Sequence, residues 1–186
     1  MSQTEVPLAR NRSFAAAAGH EGVPLVPRQQ LFVITCLDPR TDPAGFLGLQ
    51  PGDAMVIRNA GGRVTQRVID DLAFISHLTE TMISGDGPLF EIAVVHHTQC
   101  GTGFLADTAF RRGFAERTGL DEQALSAEAV TDPAATVRSD VELLRTADRL
   151  SPRLTVSGHV YDLATGLVDT VVPAAHTRGQ AAQVAP

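Results

Sequence analysis

Two short apolar runs constrain this fold more than any other feature of the chain. Leu31 to Ile34 and Leu89 to Val95, the second broken only by Glu91, place apolar side chains at consecutive positions, and each reads as a buried strand. Between them Val68, Leu72, Ile75, Leu78 and Met82 recur at helical spacing within Val64 to Ser84, and Gly85 follows as a stop. Pro51-Gly52-Asp53 signals a turn before a further strand, Ala54 to Ile57. Thr41-Asp42-Pro43 caps a short helix over Ala44 to Leu49. Gly101-Thr102-Gly103 opens a helix to about Arg117, stopped by Gly119. Thr131-Asp132-Pro133 starts another, to Leu150, with Val137, Val141 and Leu144 on one face. Leu154 to Tyr161 and Leu167 to Val172 are strands around Ala164-Thr165-Gly166, a hairpin. Strands alternating with helices, then one hairpin, predict an α/β fold: a mainly parallel central sheet with an antiparallel edge strand, flanked by helices.

Residues 1–30 read as an N-terminal helical arm, with an Ala-rich helix near Val6 to Ala18 ended by Gly19 and a connection through Pro24 and Pro27. That helix has too few apolar residues to stand alone and is expected to pack on the main body or on a partner subunit. Residues 31–173 form a single α/β domain, and 174–186, rich in Ala and Gln, are expected to be a mobile tail. A length of 186 residues suits one domain with a real core. The net charge of -6 and the lack of any Lys/Arg run argue against nucleic acid as a partner. No stretch approaches the roughly 18 apolar residues of a membrane span, so no membrane partner is expected. The N-terminus lacks the basic region of a signal peptide, and two distant cysteines make no secretory disulfide framework, so the expected location is cytoplasmic.

Both cysteines lie just beyond C-terminal strand ends, where open α/β sheets place ligands. The first strand runs into Cys36-Leu37-Asp38-Pro39-Arg40, and the later one into His96-His97-Thr98-Gln99-Cys100. A cysteine closing a core strand is in general more often inert than a ligand; the second motif changes that balance. Two thiols and an imidazole suit Zn2+, with Cys36 from one strand end and His97 and Cys100 from the other. His96 should face the opposite side of its strand. Asp38 and Arg40 read either as an exposed ion pair at a turn, worth little, or as part of the site, where Asp38 is open to two readings. It closes the site as a fourth ligand, or Arg40 holds it back by a bidentate pair so that it accepts a hydrogen bond from a zinc-bound water. Other residues carry weaker readings. Arg58 and Asn59 shape the pocket or bond a loop, and Gly101 and Gly103 face an anion or pack tightly. His20, His77, His159 and His176 shuttle protons or fill ordinary roles. Gly61-Gly62 has no phosphate-loop pattern around it.

Cys36-x-Asp38-x-Arg40, the segment Gly52-Asp53-Ala54-Met55-Val56-Ile57-Arg58-Asn59-Ala60-Gly61 and His96-His97-Thr98-Gln99-Cys100-Gly101 together resemble the β-class carbonic anhydrases. The similarity runs from about residue 30 to 172 and takes in Gly158-His159-Val160-Tyr161-Asp162 with Ala164-Thr165-Gly166. The resemblance implies zinc held by Cys36, His97 and Cys100, a catalytic Asp38–Arg40 dyad, and reversible hydration of carbon dioxide to bicarbonate with zinc-bound hydroxide as the nucleophile. It also implies a homodimer or larger assembly with sites near the subunit interface and an arm that wraps a neighbour. The chain departs from the family in two respects. Pro39 stands where the family usually has alanine or serine, and there is no tryptophan of the kind some members use in a regulatory bicarbonate pocket. Three other functions fit the same residues: hydrolysis of carbon disulfide or carbonyl sulfide, a non-catalytic zinc site with Asp38 bound, and a metal-free redox pair of Cys36 and Cys100.

Overall fold

The computed structural model describes residues 2–83 and 85–177. Five strands, β1 (Leu31–Cys36), β2 (Ala54–Asn59), β3 (Glu91–His97), β4 (Thr155–Tyr161) and β5 (Val168–His176), form one sheet. Their order is β2-β1-β3-β4-β5, parallel from β1 to β4, with β5 antiparallel on β4 at the edge. The apolar runs become the interior strands: β1 and β3 are buried at every position except their first residues. The outer strands β2 and β5 alternate or lie largely open.

Helices α1 (Glu5–Ala16), α2 (Pro43–Phe46), α3 (Gln66–Met82), α4 (Thr108–Thr118), α5 (Glu122–Ala127) and α6 (Pro133–Arg145) complete the chain. One sheet face, through Phe32, Ile34, Ile92, Val94 and Val156, packs on Val68 and Leu72 of α3 and Val137, Val141 and Leu144 of α6. Each large aliphatic side chain buried there contributes about 1.5–3 kcal/mol. The other face joins Val33, Ala93 and Val95 to Phe46, Leu49 and Tyr161, with the Phe46 and Tyr161 rings stacked 4.5 Å apart. Because side chains alternate along β3, His96 falls on the first face and His97 on the second.

Asp and Pro fix the helix starts as expected. Asp42 and Asp132 accept from the amides of Ala44 and Ala135, each at 3.0 Å, with Pro43 and Pro133 at the first helical positions. Other boundaries differ from the sequence reading. Gly101–Ala106 is a 3-10 helix, and α4 starts only after Asp107, whose carboxylate caps it. Helix α5 was not expected, and α6 ends at Arg145 instead of Leu150. Leu150 folds back as a core residue. Strand β5 continues past Val172 through Pro173 to His176, since an edge strand tolerates a proline. Residues 178–186 of the expected tail lie outside the described residues. Helix α1 buries none of its residues, so packing on the body of its own protomer is not realised. Among the described residues no helix is long and apolar enough to cross a membrane.

Candidate metal centre

Strands β1 and β3 are neighbours, and their C-terminal ends deliver Cys36 and His97 side by side. From His97 the chain makes a sharp turn through Gln99, whose φ of 57° lies in the left-handed region, and so returns Cys100 to the same pocket. The hairpin beyond β4 braces that turn. Thr98 donates its amide to the Tyr161 carbonyl and its hydroxyl to Asp162, and accepts from the Leu163 amide. Asp162 also takes the Ala164 amide, which holds its carboxyl below the usual range.

The Sγ atoms of Cys36 and Cys100 are 3.9 Å apart, and these sulfurs and a His97 ring nitrogen all lie within 4.8 Å of one another. The His97 Nδ1 donates to the Thr98 carbonyl at 2.9 Å, while its buried Nε2 has no partner. An orphaned imidazole nitrogen is costly to bury unless something binds it. Zinc fits this set, because a tetrahedral ion with Zn–S bonds of about 2.3 Å separates two thiolates by roughly 3.8 Å. A disulfide needs sulfurs about 2.05 Å apart, and both cysteines are free.

The two sulfurs lie within hydrogen-bond reach of each other, and either can be the donor. The hydrogen bond between them pushes Cys36 up to about 12, with burial adding to the rise, and draws Cys100 down to about 6 against the opposing effect of burial. The pair thus yields one proton readily and retains the second, whichever sulfur carries it.

Asp38 and Arg40 form a two-pronged pair: Nε donates to Oδ1 at 2.9 Å and Nη2 to Oδ2 at 2.7 Å. The same Nη2 donates to the Gln99 carbonyl at 3.1 Å, which ties the first motif to the second. Pro39 assists this arrangement. It confines Asp38 to extended geometry and occupies the first position of a 3-10 turn, Pro39–Thr41, so that Asp38 Oδ1 also caps the Arg40 amide. The Arg40 side chain holds the Asp38 carboxyl down to about 2, although partial burial opposes it.

Arg58 clamps the loop from beneath, donating to the carbonyls of Cys36 and Asp38 at 3.0 and 2.8 Å, which is the loop-bonding reading of that residue. Asn59 likewise bonds the Arg63 carbonyl. The amide of Gly103 is taken by the Cys100 carbonyl, which removes it from any anion. His159 has both ring nitrogens engaged, by Ser157 and Thr170, and burial lowers its pKa. Gly62 has φ +67°, and a Cβ there would stand 2.9 Å from the Cys36 nitrogen; only glycine lets this loop press on the end of β1.

Sequence reasoning missed a fully buried carboxylate behind the site. Asp140 of α6 accepts from Arg63 Nε at 2.9 Å, Arg63 Nη2 at 3.1 Å and the Val64 amide at 3.0 Å, and lies 3.3 Å from His96 Nε2. His96 Nε2 is also 3.2 Å from the Gly62 carbonyl. Burial would raise the Asp140 pKa, but the bonds from His96, Arg63 and Val64 outweigh it and hold the group below the usual range. A signal was available: Asp140 stands beside Val137, Val141 and Leu144, on the apolar side of its helix. Thr102, whose hydroxyl lies 3.2 Å from Cys100 Sγ, was also missed.

The family model described as carbonic anhydrase matches residues 31–168. The β-carbonic anhydrase 1 of Mycobacterium tuberculosis is 33% identical over 174 residues, 93% of this chain and 100% of that protein. The crystal structure of carbonic anhydrase from Streptococcus mutans superposes with a TM-score of 0.75 at 32% identity, covering 92% of this chain and 98% of that one. A carbon disulfide hydrolase of Acidithiobacillus thiooxidans is 27% identical over 157 residues, 74% of this chain and 75% of that protein.

Proposed function

The chain belongs to the β-class carbonic anhydrase family, and from that premise we propose that it catalyses the reversible hydration of carbon dioxide to bicarbonate at a zinc ion held by Cys36, His97 and Cys100. The observation that carries this reading is the buried, partnerless Nε2 of His97 beside two sulfurs spaced as a tetrahedral ion requires. Zinc bound between two thiolates supplies a Lewis acid that makes solvent nucleophilic, less strongly than among three neutral imidazoles, so activity is expected to rise toward alkaline pH. The chain's own groups set the geometry. Arg40 keeps Asp38 engaged, which leaves the carboxylate to orient the attacking solvent molecule and not to act as a fourth ligand. Held near 2, Asp38 stays ionised throughout the working range, so it accepts a hydrogen bond and carries no proton away. Stopped-flow hydration of carbon dioxide by zinc-loaded protein from pH 7 to 9 is the test, and absence of activity at every pH would overturn the proposal.

The likeness to a carbon disulfide hydrolase supports a second reading, in which the same residues hydrolyse carbon disulfide or carbonyl sulfide. Hydrogen sulfide release faster than carbon dioxide hydration would favour it. The protein acts as a homodimer or larger assembly in this account. Its support is the arm, whose Val6, Leu8 and Phe14 stay exposed on a helix that buries nothing against its own protomer.

A further inference from the structure

The two sulfurs of the centre are not equivalent in their surroundings. Cys36 Sγ receives the backbone amide of Asp38 at 3.4 Å, a contact that belongs to the turn itself. Cys100 Sγ likewise meets a backbone amide, that of Thr102, and in addition a side-chain hydroxyl, Thr102 Oγ1 at 3.2 Å. Thr102 sits in the 3-10 helix Gly101–Ala106 that follows the ligand. Its Oγ1 also lies close to the Ala60–Gly62 turn, where a Cβ added to Gly61 would stand 3.1 Å from it. A thiolate accepts and does not donate, so once Cys100 is ionised the hydroxyl must be the donor.

We propose that Thr102 tunes the centre by donating its hydroxyl hydrogen bond to the Cys100 thiolate, weakening that sulfur as an electron donor to the metal. The inference rests on the zinc reading above. Thr102 acts through Cys100 and touches no reacting atom. An O–H directed at a thiolate draws electron density from sulfur, so the cation it binds keeps more of its positive charge and polarises solvent more strongly. Hydrogen bonds to metal ligands act in this indirect way at many sites, and their loss typically changes affinity or activity by about 10- to 100-fold. Thr102 also fills space, so the test must separate the O–H from the methyl group.

Thr102→Val removes the O–H at nearly constant shape, and Thr102→Ser keeps it while removing the methyl. The readout is the thiolate-to-cobalt charge-transfer band of the Co2+-substituted full chain, together with the pH profile of kcat/KM for the zinc form. In Thr102→Val the band moves to lower energy and the alkaline midpoint rises. Below the midpoint kcat/KM falls by about tenfold, the lower end of such effects, and the alkaline plateau is kept. Thr102→Ser matches the parent in both. A band and midpoint unmoved in Thr102→Val overturn the proposal, as does a Thr102→Ser variant that shifts as far as the valine. Failure of the parent itself to show a thiolate–cobalt band sinks the metal reading instead, which keeps the two failures apart.

Discussion

Replacing Arg40 with alanine separates catalytic positioning from stability. The substitution deletes the bonds from Nε and Nη2 to Asp38 at 2.9 and 2.7 Å and the bond to the Gln99 carbonyl at 3.1 Å. It leaves the backbone amide of residue 40 on Asp38 Oδ1 and frees Oδ2. The ion pair pulls Asp38 down to about 2, so its stabilisation is fully present above the ordinary aspartate range near 4 and fades as pH falls through 2. At pH 8 the whole contribution is therefore removed. That contribution is small: the Arg40 side chain is 49% exposed, and solvent screens pairs of this kind heavily. The expected loss of kcat/KM is much larger, about 100-fold, or roughly 2.7 kcal/mol of transition-state stabilisation. Freed of its partner, Asp38 either ceases to orient solvent or takes the fourth ligand position. Stopped-flow hydration at pH 8 and urea unfolding of the same zinc-loaded preparation measure the two quantities side by side. A kcat/KM within threefold of the parent, or a stability loss as large as the activity loss, would refute the reasoning. Arg40→Lys should restore little, because an ammonium cannot span both carboxylate oxygens.

Asp140→Asn should lower unfolding free energy by about 3 kcal/mol in urea titrations, because it strands the Arg63 charge beside a fully buried position, and a loss under 1 kcal/mol would contradict the account. Since the thiol pair retains one proton between about 6 and about 12, zinc uptake should release that proton and its affinity should rise about tenfold per pH unit from 7.5 to 9. Chelator competition measures this, and a flat dependence would show that both sulfurs are already ionised. Removing residues 1–30 should shift the protein to a smaller species in light scattering after gel filtration; an unchanged mass would mean that the arm contributes nothing to assembly.

The grouping of Cys36, His97 and Cys100 was legible because strand ends and short spacings are local. His97 and Cys100 are three residues apart on a strand end and its turn, and Cys36 closes the neighbouring strand. Alternation along β3 likewise sufficed to send His96 to the opposite face from His97. The Asp140 cluster was not legible in the same way. Its bonds to Arg63 and Val64 join residues 77 and 76 apart, and only the packing of α6 against the sheet brings them together. Pro39 stood out in the sequence only as a departure from the family pattern, and its benefit to the Asp38–Arg40 pair emerged with the 3-10 turn it starts. Thr102 read as part of a helix opening, since nothing in a Gly-Thr-Gly sequence says that the hydroxyl will meet a sulfur. Helix α5 is short, and its Asp121 cap precedes only one buried residue, Leu125, too little periodicity to register.

In the proposed centre, three side chains from two adjacent strand ends grip one ion while Arg40 keeps Asp38 off it. Crystals of the full chain grown with zinc, measured at energies on both sides of the zinc absorption edge, test this arrangement most directly. One anomalous peak per chain is expected, bonded to Cys36 Sγ, His97 Nε2 and Cys100 Sγ, with both Asp38 oxygens still on Arg40. A peak elsewhere, or a carboxylate oxygen of Asp38 within bonding distance of the ion at pH 8, would contradict it.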